Sequence, residues 1–312
     1  MLRTLTYLAI SLPLAVNATT HPMPPSDVGL VGETLFISAN HEDTLLDIAR
    51  QYSIGQKEIV DANRDVDRWL PGEGTEVIIP SRHILPDAER SGIVVNLPEM
   101  RLYFFDRKEK TVRTHPVSVG RLDWNTPLGV TKITEKRVDP TWTPPESIKK
   151  EHLEAGDPLP DVVPAGPDNP LGTRAMRLGI PGYLIHGTNR PWGVGERVTH
   201  GCIRMYPEDV ERLFDEVGVG EQVTLVNQPI KASLAGGMLY VESHPALDED
   251  AGTLSEMIER ARVVIEERTG LTPADYSFEA MAATIAMSTG IPTYIPMNAE
   301  SAVSDTEQLL LQ

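Results

Sequence analysis

The middle of the chain consists of short apolar segments separated by glycine and proline. Three of these segments, 93–96, 101–105 and 117–120, are rich in β-branched and aromatic residues, and Leu97-Pro98-Glu99 forms a turn between the first two. Runs of this kind between turn residues are typical of β-strands. We therefore expect a mainly β protein in which residues 91–228 form a β-sandwich.

A different pattern precedes this region, in residues 34–80. Segment 35–37 predicts a strand, and Asp43 is placed to cap a first helix, since aspartate is a preferred N-cap residue. A second helix is expected near 57–62, and segment 77–79 predicts a closing strand. The pattern indicates a small βααβ domain.

Residues 229–312 combine both patterns. Gly236-Gly237 predicts the turn of a β-hairpin, and Thr253-Leu254-Ser255-Glu256 is a capping box that opens an amphipathic helix. A second helix is expected to begin at Thr272-Pro273 and to run towards Gly290. We therefore expect an α/β appendage after the sandwich.

The first 18 residues have the pattern of a signal peptide. Arg3 supplies a positive charge, residues 5–16 are apolar, and Ala18 completes a small-residue cleavage site. The apolar run is too short to cross a membrane, and no later run reaches 18 apolar residues. We expect cleavage after Ala18, export to the periplasm, and a mature protein with no transmembrane segment.

Charge and cysteine content narrow the choice of function. The 312 residues carry a formal net charge of −17, which argues against nucleic acid as a partner because phosphates need a basic face. The only cysteine is Cys202. An exported protein normally pairs its cysteines, so a single thiol is either reactive or dispensable.

Cys202 lies close in sequence to two histidines, His200 and His186. A thiol is nucleophilic only as thiolate, and a neighbouring imidazole is a natural base for it. Two other interpretations stay open on residue types alone. Cys202 can be a small buried apolar residue, or the three side chains can ligate zinc, although no fourth ligand is evident. The polar, basic surroundings of Cys202 favour the nucleophile.

The segment from His186 to Met205, with His-Gly-Thr followed by Thr-His-Gly-Cys-Ile-Arg-Met, resembles the signature of the L,D-transpeptidase family, which has the YkuD fold. The resemblance implies that His186 is the general base, that Cys202 attacks the substrate, and that the Gly187 carbonyl orients the base. It also implies an oxyanion site made by His200 and by the backbone N–H groups of Gly201 and Cys202. No metal or organic cofactor is implied.

The same resemblance implies the substrate contacts. Arg204 is expected to hold a substrate carboxylate, and Thr188, Asn189 and Thr199 are expected to contact the substrate beside the catalytic residues. Thr199 stands where the family often has serine, and it keeps the hydroxyl group.

The long segment 139–172 contains two runs, Pro140-Thr141-Trp142-Thr143-Pro144 and Gly166-Pro167-Asp168-Asn169-Pro170-Leu171-Gly172, that resemble those of a periplasmic branch of the family, which anchors lipoproteins to the cell wall. Long loops in compact domains are often functional, so we expect this one to wall the substrate cleft, with Trp142 as an apolar contact. Segment 34–80 resembles a LysM module, a type of domain that binds peptidoglycan glycan. The expected partners are therefore peptidoglycan stem peptides and glycan, with an outer-membrane lipoprotein lysine or a second diaminopimelate as acyl acceptor.

Two alternative functions stay open. If water takes the thioester, the same site makes an L,D-carboxypeptidase, and sequence does not determine which acceptor enters the cleft. The other alternative is a catalytically inert scaffold that binds the wall through segment 34–80.

Overall fold

The computed structural model describes residues 20–298, so the predicted signal peptide and residues 299–312 lie outside the described residues. In the described part the chain forms 17 β-strands and six α-helices. The strands are β1 (Thr20–Pro22), β2 (Leu30–Val31), β3 (Leu35–Ser38), β4 (Glu76–Ile79), β5 (His83–Ile84), β6 (Gly92–Asn96), β7 (Arg101–Asp106), β8 (Thr111–Gly120), β9 (Gly129–Val138), β10 (Arg174–Leu178), β11 (Leu184–His186), β12 (Arg197–Thr199), β13 (Ile203–Met205), β14 (Gln222–Val226), β15 (Ile230–Ala235), β16 (Met238–Ser243) and β17 (Thr293–Ile295). The helices are α1 (Leu45–Gln51), α2 (Gln56–Ala62), α3 (Glu146–Glu154), α4 (Pro207–Glu216), α5 (Leu254–Thr269) and α6 (Phe278–Met287).

The expected mainly β fold is confirmed. Strand pairing runs in the order β8-β13-β11-β10-β9-β14-β6-β7 and returns to β8 through its pairing with β7. The strands β8 and β9 each have ten residues and belong to both halves of the sandwich. β8 pairs with β7 along its first part and with β13 along its second, and β9 pairs with β14 and then with β10. Two long strands therefore join the faces around one apolar core, which includes Ile93, Leu102, Val117, Ile185, Ile203 and Leu213.

The region before the sandwich has the element order β3-α1-α2-β4, with β3 and β4 antiparallel. We refer to residues 34–80 as the N-terminal module. Its first helix is capped by Thr44, not by Asp43 as predicted. The Thr44 hydroxyl accepts the N–H of Asp47, and the Asp47 carboxylate accepts the N–H of Thr44 in return. Asp43 lies one residue too early and accepts the N–H of Asn40 instead.

The C-terminal region contains the predicted hairpin, β15 and β16, and a third strand that the sequence did not indicate. β17 pairs with β16 and completes a three-stranded sheet. The capping box of Thr253 and Glu256 opens α5 as predicted. The next helix begins at Phe278, with Ser277 as its N-cap, and not at Thr272. The side chain of Asp275 accepts the N–H of Thr272, so this earlier segment forms a turn.

Segment 139–172 is not an irregular loop, because α3 occupies its middle. The ends of the segment are tied together around it: the backbones of Trp142 and Val163 pair, with N···O distances of 2.9 and 2.8 Å. The buried Asn169 side chain donates to the Pro140 carbonyl at 2.8 Å. The segment is thus a folded insertion between strands β9 and β10 of the sandwich.

Over residues 20–298, no helix combines the length and the apolar character that crossing a bilayer requires.

Candidate active site

The two halves of the sequence signature lie on adjacent parallel strands. β11 ends at His186 and pairs with β13 so that His186 stands opposite Arg204. The neighbouring pair, Ile185 and Ile203, points into the core and is buried. Because side chains alternate along a strand, His186 and Arg204 share the opposite face, and Cys202 precedes Arg204 by two residues. The strand register therefore brings base, thiol and guanidinium to one side of the sheet.

His186 is held in one orientation by its own neighbour. Its Nδ1 lies 2.6 Å from the carbonyl oxygen of Gly187, and since a carbonyl only accepts, Nδ1 carries the proton. Nε2 is thereby left as the basic nitrogen. Burial and the nearby positive charge of Arg204 lower the pKa of His186 to about 3. The hydrogen bond to Gly187 acts in the opposite direction and raises the pKa, but its effect is smaller. The imidazole is therefore neutral at pH 7.

Cys202 is partly exposed, and its Sγ lies 3.6 Å from the Gly182 carbonyl oxygen. Burial raises the pKa of the Cys202 thiol, while the backbone N–H of Leu184 and the charge of Arg204 act in the opposite direction. Thiol and imidazole are both neutral at rest.

Gly201 gives the loop before Cys202 its shape. Its φ is +94°, a region that side chains disfavour, and a Cβ there would lie 2.6 Å from Cε1 of Tyr183. The Gly201 carbonyl accepts the Thr126 hydroxyl at 2.8 Å, and that hydroxyl in turn accepts the N–H of Gly120. The Thr126 hydroxyl therefore links the loop before Cys202 to Gly120 at the end of β8.

Thr199 acts inside the protein. It is buried, and its hydroxyl donates to the Cys202 carbonyl at 2.6 Å. Its own carbonyl accepts the N–H of Arg121 at 3.1 Å. The contact of Thr199 with substrate stays a prediction; in the structure its hydroxyl bonds to the backbone of the Cys202 loop.

His200 has a carboxylate partner that the sequence did not suggest. Its Nε2 lies 3.0 Å from Oε2 of Glu151, which α3 carries, and the other oxygen of Glu151 lies 2.7 Å from Nη2 of Arg121. The ring of Trp124 meets the His200 ring edge-on at 5.0 Å. Burial lowers the pKa of His200, and Glu151 opposes this shift. Segment 139–172 therefore contacts the loop that holds His200 and Cys202, through Glu151 on α3.

Two arginines contribute positive charge to the cleft. Burial and the neighbouring Arg190 lower the pKa of Arg204, while Cys202 raises it. Arg190 was not among the predicted site residues, because nothing in the sequence distinguishes it from other surface arginines. Two neighbouring guanidinium groups, one of them beside the thiol, are suited to binding a carboxylate.

The remaining predicted contacts stabilise the surroundings. The hydroxyl of buried Thr188 accepts the N–H of Arg190 at 2.9 Å, and the Asn189 amide donates to the Asp168 carbonyl at 3.0 Å. Trp142 is half-buried and contributes its backbone to the pairing with Val163. Asn189 thus links the loop after His186 to segment 139–172, whereas no described contact brings the Trp142 side chain to Cys202.

The N-terminal module contacts the loop at Val194 and Gly195, which lies between His186 and Cys202. The backbone N–H groups of Gln56 and Lys57, at the start of α2, donate to the carbonyls of Val194 and Gly195 at 3.0 and 3.4 Å. The approach is so close that a Cβ on Gly195 would lie 2.5 Å from the Gln56 nitrogen. The loop between His186 and Cys202 is therefore anchored to another folded region.

A second polar cluster lies away from the cleft, where the N-terminal module, the sandwich and the C-terminal region meet. We call it the buried junction, and it consists of Glu58, His83, Glu99, Arg101, Lys231 and Glu242, all of them buried. Lys231 Nζ lies 2.8 Å from Glu99 and 2.7 Å from Glu242, and Arg101 lies 2.5 Å from Glu58.

Three residues of the buried junction, His83, Glu99 and Glu242, are close enough together to hold a metal ion. The ammonium group of Lys231 already supplies a positive charge between the two carboxylates. Because Lys231 occupies the position between Glu99 and Glu242, we assign the junction no metal.

Comparisons with known proteins show what the chain is similar to. Residues 90–225 match the YkuD family, the L,D-transpeptidase catalytic domain. Three proteins of Escherichia coli (strain K12) are similar to most of the chain. The probable L,D-transpeptidase YcfS is 42% identical over 247 residues, 77% of each chain. The probable L,D-transpeptidase YbiS is 42% identical over 235 residues, 74% of this chain and 76% of its own.

The third, the probable L,D-transpeptidase ErfK/SrfK, is 40% identical over 237 residues, 75% of this chain and 76% of its own. Among solved structures, an L,D-transpeptidase from Mycobacterium smegmatis aligns with a TM-score of 0.35 and 20% identity, over 49% of this chain and 63% of that chain.

Proposed function

The chain belongs to the L,D-transpeptidase (YkuD) family of enzymes, and from this premise we propose that it transfers peptidoglycan stem peptides through a thioester on Cys202. The observation that carries the proposal is the register of β11 and β13, which gives His186, Cys202 and Arg204 a common face. A general base at the end of one strand and a thiol directly before the neighbouring strand are the minimum equipment for acyl transfer through a covalent intermediate.

In the first half-reaction, Sγ of Cys202 attacks the carbonyl of meso-diaminopimelate, the third residue of a tetrapeptide stem, at its L centre. His186 Nε2 takes the thiol proton as the S–C bond forms. The oxyanion accepts hydrogen bonds from the backbone N–H groups of Gly201 and Cys202, and one such donor is typically worth about 3 kcal/mol. The C–N bond then breaks, and D-Ala leaves as an amine with the proton that His186 held.

The pKa of His186, lowered to about 3, keeps its imidazole neutral at pH 7 and able to accept the thiol proton as the S–C bond forms. Once protonated, the imidazolium is a strong acid for the departing amine. Arg204 lies opposite His186, and with Arg190 it gives the cleft the charge to hold a carboxylate of the stem peptide.

In the second half-reaction an amine takes the acyl group and releases Cys202. We propose a lipoprotein lysine or a second diaminopimelate as acceptor, the latter giving a 3-3 cross-link. Water is the competing acceptor and would make the enzyme an L,D-carboxypeptidase.

The test uses the mature chain with tetrapeptide muropeptides, with and without an added amine acceptor. Wild-type protein should release D-Ala, show the mass of an acyl-enzyme on Cys202, and give a cross-linked product only when the amine is present. Cys202→Ala should do none of these. Full activity of Cys202→Ala would contradict the thioester, and hydrolysed stem peptide as the only product would favour the carboxypeptidase.

We further propose that the enzyme is exported to the periplasm and that the N-terminal module binds the glycan strand, as a LysM module would. If the protein were only a wall-binding scaffold, it would bind purified sacculi while carbapenems failed to add covalently to Cys202. Covalent addition at that residue would rule the scaffold out.

A further inference from the structure

The strand that leads into the Cys202 loop is short. β12 consists of three residues, and its last residue, Thr199, donates its hydroxyl to the Cys202 carbonyl at 2.6 Å. Within residues 20–298, β12 pairs with β8 and with no other strand, so that Thr199 lies opposite Gly120. A strand of this length with one partner has few backbone bonds to fix its position. Side-chain contacts of β12 should therefore contribute to how firmly the thiol is held.

Arg197, the first residue of β12, makes such contacts in two directions. Its side chain is 17% exposed, and its Nε donates to the Gly120 carbonyl, at the end of β8, at 3.0 Å. Its Nη1 lies 3.1 Å from Oδ2 of Asp248, and both terminal nitrogens lie 3.3–3.4 Å from the carboxylate of Glu249. A planar guanidinium can bind a strand end and two carboxylates at once, because its donors form a rigid fork. Arg197 therefore joins the ends of β12 and β8 to residues that lie 51 and 52 positions later in the chain.

The two carboxylates belong to Asp248–Asp250, a single turn of 3-10 helix between β16 and α5 that we call the acidic turn. The acidic turn is itself anchored. Leu247, directly before it, is buried in the core of the sandwich, and the carboxylate of Asp250 accepts the Asn227 amide. The acidic turn lies outside residues 90–225, the part that matches the catalytic domain of the family. A segment outside that domain thus presents two carboxylates to β12 from a fixed position.

We propose that the acidic turn positions the Cys202 loop for attack on the substrate carbonyl, and that it does so through Arg197. In this role Arg197 is a positioning residue, because it acts on the thiol through β12 and the Thr199 bond and not through the substrate. The inference rests on the proposed function, since it concerns the same thiol. It makes the C-terminal region a part of the catalytic unit.

The contacts of Arg197 should matter more for geometry than for stability. The side chains of Asp248 and Glu249 are 71% and 29% exposed, and exposed ion pairs contribute little to the free energy of unfolding. Reacting atoms, in contrast, must be placed closely, and a misplacement of about 1 Å can lower a rate about 100-fold. Loss of the contacts should therefore lower kcat. KM should change little, because Arg190 and Arg204, which we propose to hold the substrate carboxylate, are unaltered.

The experiment measures D-Ala release from a disaccharide-tetrapeptide by the mature chain. Arg197→Gln, Glu249→Gln and the double variant are compared with wild type and with Arg262→Gln. Arg262 is a matched control, because it belongs to the same C-terminal region and its ion pair with Glu259, at 2.7 Å, is local to α5. Thermal unfolding of each variant establishes that the chain is folded at the assay temperature.

We expect kcat to fall about tenfold in Arg197→Gln and about threefold to tenfold in Glu249→Gln, where Asp248 still holds the guanidinium. KM should stay within about twofold of wild type. The double variant should lose no more than about twofold beyond Arg197→Gln, because the two side chains act as one unit. Arg197→Lys keeps the charge but not the fork, so its kcat should lie between those of wild type and Arg197→Gln. Arg262→Gln should have the kcat of wild type.

A second measurement follows the loop without any substrate. Backbone amide hydrogen exchange, read by mass spectrometry, reports the local opening of a segment. Peptides that cover residues 197–205 should exchange faster in Arg197→Gln and in Glu249→Gln than in wild type. The same peptides should exchange at the wild-type rate in Arg262→Gln, and peptides from β6 and β7 should be unchanged in every variant.

An unchanged kcat in Glu249→Gln would overturn the inference, and so would exchange of residues 197–205 that stayed at the wild-type rate. Losses that multiplied in the double variant would show that Arg197 and Glu249 act independently, and a raised KM with kcat retained would place them in substrate binding; either result contradicts the positioning role. If wild-type protein released no D-Ala and formed no acyl-enzyme, the proposed function would fail. Faster exchange in the two variants would then still show that the acidic turn holds the loop, so the two failures are distinguishable.

Discussion

The cleft around Cys202 and the buried junction around Lys231 both gather polar side chains, but they satisfy them in opposite ways. In the junction, ammonium and guanidinium groups lie 2.5–2.8 Å from buried carboxylates. In the cleft, a neutral thiol and a neutral imidazole lie beside Arg204, and the thiol has a 3.6 Å contact with the Gly182 carbonyl and a contact with the Leu184 N–H.

The difference separates stability from reactivity. Charges that neutralise one another in the interior become costly when one partner is removed, so they fix how the three regions meet. Groups that stay neutral and incompletely bonded cost little to the fold and remain available to a substrate. The two clusters should therefore respond differently to substitution.

The largest effect is expected from His186→Gln. It removes the base while filling a similar volume, so kcat should fall about 10⁴-fold or more, as for other nucleophile–base pairs. The free energy of unfolding should change by less than about 1 kcal/mol. Acylation kinetics and urea denaturation measure the two quantities, and a large loss of stability with intact turnover would reverse the comparison.

Lys231→Met tests the opposite case. It leaves Glu99 and Glu242 buried without their ammonium group, so the free energy of unfolding should fall by about 3–5 kcal/mol. The rate of turnover at a temperature where the variant is folded should stay within about twofold. Lys108→Met is the control, because Lys108 is 91% exposed, and its unfolding curve should match wild type. A Lys231→Met variant as stable as wild type would show that the junction contributes nothing to stability.

Acidification should affect both regions, since each contains a buried neutral imidazole. Burial lowers the pKa of His186 to about 3 and that of His83 well below its usual 6.5. As the pH falls below 6.5, the unfolded chain binds a proton at each of these histidines and the folded chain does not, down to about pH 3 for His186. The free energy of unfolding therefore falls with pH, by up to about 1.4 kcal/mol per pH unit for each histidine that stays neutral in the folded chain.

Urea unfolding at pH 7, 5.5 and 4.5 measures this slope. His186→Gln should reduce the slope and leave the share that belongs to His83. A wild-type stability that stayed constant over this range would contradict the neutral state of both imidazoles.

The smallest effect is expected from Thr199→Val, which removes the hydroxyl bond to the Cys202 carbonyl. A lost bond of this kind costs about 1 kcal/mol, and a misplaced thiol should lower kcat about tenfold. Thr284→Val loses a comparable buried bond, from its hydroxyl to the Ala280 carbonyl in α6. Thr284→Val should lose similar stability but keep its activity. If the two variants had the same kcat, the hydroxyl of Thr199 would have no role in placing the thiol.

Sequence alone identified the parts of the site that local strand geometry brings together. His186 and Cys202 belong to one signature, and their strands are adjacent in the sheet. Glu151 was missed because it is 49 residues from His200 and sits on a helix with few apolar positions. Lys231 was missed for a similar reason, since its partners Glu99 and Glu242 lie in different elements.

Element boundaries failed where side-chain capping decided them. Thr44 and Asp47 form a reciprocal capping box, which sets the start of α1 one residue after the predicted cap Asp43. At α6, a turn held by Asp275 delays the helix until Ser277 can cap it. In both places, two polar side chains within a few residues of each other could have capped the helix. Only the three-dimensional structure shows which of them does so.

The close packing of α2 against the loop at Gly195 means that the N-terminal module and the domain at residues 90–225 depend on each other structurally. A chain shortened to residues 90–225 would leave the carbonyls of Val194 and Gly195 without their partners in the N-terminal module. Replacing that module with another would have to preserve two glycines in contact, Gly55 and Gly195, one on each side of the boundary. We therefore expect the smallest stable and active piece of this protein to extend beyond residues 90–225 and to include the N-terminal module.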